Sequence, residues 1–187
     1  GVILEPINDK TPVVVRSSSN EGKTELTARR IDADSKTGLA TLIGPAKFSN
    51  IDAQGQTISL SWKGDGHMTE PSPGKRLLTL SDQVELTHPT LGMKASTLAI
   101  GFDDVTSTGA SVAFDPKSMR TMTARGNVSV NTDQSDLSAG TVTVNMDHQA
   151  GVQRILSLDA RESVSFVQHD ADRLRLNAQT MIVQFDE

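Results

Sequence analysis

Four histidines, 23 acidic residues and 18 basic ones are the groups with which this 187-residue chain could do acid–base or metal chemistry. His67, His88, His148 and His169 stand apart from one another, each in a stretch that reads as loop or turn. No H-x-x-H or H-x-E spacing brings a second ligand to any of them, so the convergence a metal site needs is missing and solvated histidine is the reading. Asp32-Ala-Asp34-Ser-Lys-Thr-Gly38 has the outline of a calcium loop. Lys36 stands where a third oxygen ligand belongs, the glycine comes one place late, and the closing glutamate is absent. For acyl transfer the chain lacks G-x-S-x-G, and no serine or threonine has a base that spacing places beside it. The carboxylate pairs Asp103-Asp104 and Asp170/Asp172 fall at strand ends, where such residues serve turns. Gly64-Asp-Gly66 has no following helix to cradle a phosphate. The sequence therefore reads as a protein that is not an enzyme, with no cofactor and no metal.

Composition narrows the partners. Net charge is −5, and no basic run exceeds Arg29-Arg30 or Lys75-Arg76, which argues against nucleic acid. Cysteine is absent, so neither a disulfide framework nor a zinc–thiolate site is available. Hydrophobic residues make up 36% and aromatic ones only 3%. That is lean for a thick two-layer core and suits a long sheet with one narrow apolar seam. With a single tryptophan and no tyrosine, the exposed aromatic platform of a sugar-binding sandwich is not there. No apolar stretch approaches the ~20 residues that span a bilayer as a helix. The chain begins Gly1-Val-Ile-Leu, which leaves room for an upstream signal or anchor.

The elements that carry these residues follow a period of two. Residues 119–147 hold an approach through Met119, Met122 and Ala124, a strand Gly126-Asn-Val-Ser-Val130, a polar turn, and a return strand from Leu137 to Met146. Apolar residues alternate along both arms, as in a strand with one dry face. The same unit recurs in Asp82–Asp103 and in Glu162–Asp186, and a weaker copy spans roughly 38–64. Val84, Val128 and Val164 are its equivalent positions, 44 and 36 residues apart (84 to 128, 128 to 164). Such spacing predicts about four short strands per unit and a nearly all-β protein. Residues 1–12, with Pro6 and Pro12, read as an extended N-terminal arm, and 13–187 as a single domain. Residues 63–76, KGDGHMTEPSPGKR, read as the longest loop. Further breaks are expected at 104–111, before a strand at 112–114, and at 147–151. Hairpins that keep their apolar residues on one face must fold over to hide it. The expected fold class is all-β: repeated antiparallel hairpins forming an elongated β-jellyroll, taco-like, with an apolar internal groove and unpaired strand edges at its ends.

Arg125-Gly-Asn-Val-Ser-Val130 with Leu137-Ser-Ala139 and Val142-Thr-Val144 resembles the repeat of the OstA-like superfamily, which includes LptA, LptC and the N-terminal domain of LptD. Ala160–Gln168 with Leu174, Ala178 and Met181-Ile-Val183 is similar to the closing repeat of those proteins, and Ala28–Gly38 with Gly44 to their opening hairpin. The resemblance covers about 26–186; the long 63–76 stretch departs from it, and no membrane anchor lies in this chain. It implies a periplasmic β-jellyroll of outer-membrane biogenesis in Gram-negative cells. Such a protein binds the acyl chains of lipopolysaccharide, or of a lipid A-like amphiphile, and joins other OstA-like jellyrolls edge to edge. Any tether to the inner membrane would come from a segment outside this chain. Alternation selects the inward residues: Phe48, Ile58, Leu60, Trp62, Leu86, Leu98, Ile100, Phe102, Val130, Val144, Met146, Phe166 and Val183. In an ordinary sandwich they would pack against one another; the resemblance makes them the walls of a lipid-binding groove. Met93, Met119, Met122, Met146 and Met181 would add adaptable thioethers, although filling core gaps is the commoner use of methionine. Competing readings are an edge-pairing scaffold without cargo, an unrelated β-sandwich such as an adhesin or carbohydrate module, and, weakest, a hydrolase.

Overall fold

The computed structural model describes residues 2–4, 11–19, 22–34, 37–52, 54–103, 118–149, 152–169 and 174–185. Among them there is no α-helix, and one antiparallel sheet of 14 strands takes in all the strands. The first eight strands are short: β1 (Val2–Leu4), β2 (Val13–Ser19), β3 (Gly22–Ala28), β4 (Arg30–Asp34), β5 (Leu39–Ile43), β6 (Ala46–Asp52), β7 (Thr57–Trp62) and β8 (Gly66–Ser72). The remaining six are long: β9 (Lys75–His88), β10 (Leu91–Phe102), β11 (Met119–Thr132), β12 (Ser135–Gln149), β13 (Val152–Gln168) and β14 (Arg175–Gln184).

Instead of four short strands per repeat, the later repeats are built from pairs of long strands, each bent in the middle. β9, β11 and β13 carry two successive residues with positive φ at the bend: Asp82 and Gln83, Gly126 and Asn127, Glu162 and Ser163. Each pair faces single residues on the neighbouring strands, so the register slips between Ala95 and Thr97, Arg125 and Val128, Ser138 and Thr141, and Arg161 and Val164. Two residues opposite one is a β-bulge, which bends the strand that holds it. In register from strand to strand, the bulges form a crease across the sheet. The N-terminal half makes the same bend by interruption. Arg29 separates β3 from β4, Gly44-Pro45 separates β5 from β6, and Lys63–Asp65 separates β7 from β8. The third of these breaks is fastened to β9. The Lys63 and Gly64 amides donate to the carbonyls of Asp82 (2.8 Å) and Ser81 (3.0 Å), and the Ser81 hydroxyl donates to the Asp65 carbonyl (2.9 Å).

The crease divides the sheet into two leaves. β1, β4, β5 and β8 continue into the N-terminal half of β9, and β2, β3, β6 and β7 into its C-terminal half. Beyond β9 each long strand contributes to both leaves. A sheet with water on both faces could not bury Leu80, Leu98 and Ala160 completely, yet all three are 0% exposed. The leaves therefore face each other across one apolar core, to which both contribute. Trp62, on the second leaf, reaches Gly66 on the first: a Cβ there would stand 3.4 Å from the Trp62 Nε1 and 3.0 Å from Leu80 Cδ2. The fold is an all-β, elongated, jellyroll-like sandwich of repeated hairpins, open at its ends, since β14 pairs with neither β1 nor β2.

Several boundaries differ from those read in the sequence. Residues 63–76 are not a loop: Lys63–Asp65 is part of the crease, Gly66–Ser72 is β8, and only Pro73-Gly74 turns the chain. Gly64 and Gly66 permit close approach to β9, Gly74 takes a positive φ in the turn, and Pro71 lies where the β8–β9 register slips between Thr69 and Ser72, so it removes no paired amide. In the arm, Val2–Leu4 is β1, paired with β4. The break at 147–151 is shorter than expected, because β12 runs to Gln149 and β13 starts at Val152. The expected break at 104–111 and strand at 112–114 lie outside the described residues.

Candidate functional site

Registers across the sheet arrange the inward side chains in rows parallel to the crease. The row next to the crease on the first leaf runs Ile31, Leu42, Gly66, Leu80, Leu98, Ala124, Val142, Ala160 and Met181, each the cross-strand partner of the next. On the second leaf the corresponding positions of β9 to β14 are Val84, Ala95, Val128, Ala139, Val164 and Ala178. Valine and alanine alternate there, while β11 and β13 carry alanine on the first leaf where β10 and β12 carry leucine and valine. A bulky residue of one leaf can thus meet a small one of the other, and this row is closed: Ala124 and Val128 are each 1% exposed.

A second row lies farther from the crease. On the second leaf it passes through Val15, Leu26, Phe48, Leu60, Leu86, Met93, Val130, Leu137, Phe166 and Leu176 in unbroken register. On the first leaf it passes through Ala33, Ala40, Met68, Leu78, Ile100, Met122, Val144, Leu158 and Val183. These rows bring together most of the residues that alternation selects. Leu60, Trp62, Leu98, Ile100, Phe102, Val144 and Met146 are buried, and Phe48, Leu86, Val130 and Phe166 are half-buried against the same core. Val183 is half-buried on β14, and Ile58 is exposed at the start of β7. Of the methionines, Met93 and Met146 are buried, and Met119, Met122 and Met181 pack against the core from its margin.

Polarity inside is almost nil. Among the described residues none that is buried is polar or charged apart from the indole of Trp62, whose Nε1 has no hydrogen-bond partner there. At the ends of the interior the rows open to water. Leu4 and Val15 at one end, and Leu176 and Phe185 at the other, are 38% to 49% exposed.

The polar candidates stay on the outside. His67 lies within β8 and His148 within β12 rather than in loops, and His67 is exposed. His169 Nε2 meets Asp136 at 2.9 Å, and Asn131 Nδ2 donates to the other Asp136 oxygen at 2.8 Å. Those two contacts, Asn131 first, hold the Asp136 carboxyl below the usual carboxylate range. Arg161 does the same for Asp159, and Asp159 in turn raises the Arg161 guanidinium. No group of three His, Asp or Glu side chains converges among the described residues. On the outer side of the crease lies an open cavity of about 530 Å³, lined in part by Pro45, Lys63, Gln83, Glu85, Lys94 and Asn127. Its only inner-facing linings, such as Trp62 and Val84, belong to residues whose side chains alternate toward the core. The sequence carries no motif for this cavity, because the two bulges that line it come from dissimilar dipeptides, Asp82-Gln83 and Gly126-Asn127. No family model matches the chain, and no curated protein does either.

Proposed function

We propose that this is a non-enzymatic, lipid-binding and bridging β-jellyroll of the Gram-negative envelope. It takes the acyl chains of lipopolysaccharide, or of a similar amphiphile, between its leaves and passes them along the periplasm. The observation that carries this reading is the pair of second rows. Both run across the sheet as uninterrupted apolar walls; the second-leaf row ends in the exposed Val15 and Leu176, and the first-leaf row in the half-buried Ala33 and Val183. Apolar walls suit acyl chains at roughly 0.8 kcal/mol per CH₂ removed from water, and open strand edges suit addition of a like domain. Transport would be passive, with tails between the leaves and headgroups outside, driven by a partner machine.

Trp62 is already dry, at 1% exposure. Its fluorescence should move little with lipid, so photo-crosslinking is the better test. A benzoylphenylalanine at Val144, Phe166 or Phe102 should form adducts with added lipid A, whereas one at outward Thr123 should not. Absence of a lipid adduct from every inward position would sink the transport reading. A cargo-free scaffold that pairs by its edges is the second reading, favoured by how tightly the central rows close on each other. It expects light scattering that rises with concentration and no lipid adduct.

A further inference from the structure

Resting on that groove reading, the geometry points to a mouth with two unlike lips, which fixes the way an amphiphile faces. Both leaves are apolar in their first and second rows; in the third they part. On β10 to β13 the first leaf continues with Phe102, Met119, Met146 and Ile155, where Phe102 pairs with Met119 and Met146 with Ile155. The second leaf carries on the same strands Leu91, Thr132, Ser135 and Gln168, where Leu91 pairs with Thr132 and Ser135 with Gln168. The Thr132 hydroxyl accepts from the Ser135 amide (2.9 Å) and shares a hydrogen bond with the Ser135 hydroxyl (3.0 Å), so the hairpin tip ends in a polar rim. Behind it stands the exposed cluster of Asn131, Asp136 and His169.

Strand length sharpens the difference. From the crease outward, β12 runs from Thr141 to Gln149 on the first leaf but only back from Ala139 to Ser135 on the second. β13 likewise runs back from Arg161 to Val152 on the first leaf, against Val164 to Gln168 on the second. The first leaf therefore overhangs the second. A chain leaving the interior keeps an apolar wall on the first leaf for one more inward residue, about 7 Å of strand, after the second leaf has become polar. Hydroxyl, amide or phosphate oxygens at the head of a lipid lose water without compensation beside Met146 or Phe102. Beside Thr132, Ser135 and Gln168 they meet groups of their own kind. The ligand is thus a polyacylated amphiphile with a hydrogen-bonding head, tails along the first leaf and head leaning on the tip of the second.

The test uses the full chain with benzoylphenylalanine placed singly at Met119 or Ile155, at Thr132 or Ser135, and at Val130 or Val144. Each variant is irradiated with lipid A, and the adduct is fragmented to assign it to an acyl chain or to the phosphorylated sugar. Met119 and Ile155 should capture acyl chains several-fold more often than sugar, and Thr132 and Ser135 the reverse. The two positions on each lip guard against a variant that does not fold. Equal capture of acyl chains at both lips, with adducts still forming at Val130 and Val144, would overturn the two-lip inference and leave the groove reading standing. No adduct at Val130, Val144 or either lip would overturn both.

Discussion

Among the described residues, Trp62 combines the largest fully buried side chain with the one orphaned buried donor, so exchanging it separates two opposing contributions. A buried N–H without a partner costs about 1–3 kcal/mol. Trp62→Phe removes that cost along with part of the indole surface, and should leave urea-unfolding stability within about 1 kcal/mol of the parent, the gain and the loss being of similar size. Trp62→Ala keeps only the loss and should cost about 3–5 kcal/mol. A Phe variant as damaged as the Ala variant would mean that the indole N–H has a partner after all. Gly66 makes the complementary point. A larger residue there drives into Leu80 and the indole, so Gly66→Leu should cost about 1–3 kcal/mol by overpacking. At the surface, Asp136 titrates below an ordinary carboxylate because Asn131, and then His169, bind its charged form. A depressed folded pKa gives stability that is present above the unfolded value and lost as pH falls through the folded one, hence below about pH 4. Carbon-13 NMR should find the Asp136 midpoint low, and Asn131→Ala should raise it toward the ordinary value. An unmoved midpoint in that variant would show that the Asn131 contact does not form in solution.

At the scale of the element, the crease decides which parts of the fold could be read. Alternation placed the strands and their dry faces because every second side chain must leave water, whatever its neighbours are. Val84, Val128 and Val164 were found as equivalents because each follows a bend and is buried to 1–2%. The bends themselves left no common signature: Asp-Gln, Gly-Asn and Glu-Ser share a backbone conformation, not a side-chain type. Long bent strands therefore read in the sequence as runs of short ones, and the glycines and prolines of 63–76 as a loop. Non-glycine residues at positive φ are strained by roughly 1–2 kcal/mol each. Ser163→Gly, at φ 57°, should then raise stability by up to about 1 kcal/mol, net of the freedom it gives the unfolded chain. Gly126→Ala should do the opposite, since φ is 79° and a Cβ would fall 2.5 Å from the Ser96 hydroxyl. Thermal melts of the two variants moving in the same direction would contradict the crease as described.

For the whole molecule, the consequence of folding an unclosed sheet is that both ends are unfinished. Among the described residues, β14 at one end and β1 with β2 at the other have no partner on their outer sides. The inner rows run out there in Leu176 (38% exposed) and Val15 (40% exposed). Edges of this kind invite pairing unless charge or proline blunts them, yet Ile182 at 61% exposed adds an apolar side chain to the outer face of β14. The rows beside the crease are sealed in the middle of the molecule, where Ala124 and Val128 are each 1% exposed, and the ends are where an interior row could continue into another chain. A contact between unlike ends does not close on itself, so association should give strings rather than a dimer. Sedimentation velocity should show a mean mass that climbs with protein concentration. Leu176→Lys combined with Ile182→Lys should hold it at the monomer while leaving lipid A adducts at Val144 intact, because those residues lie at the end and not in the sealed middle. A parent chain that stays monomeric across the range removes the bridge from the proposed function but not the cargo. Loss of the Val144 adduct together with assembly would instead mean that lipid enters only through joined ends.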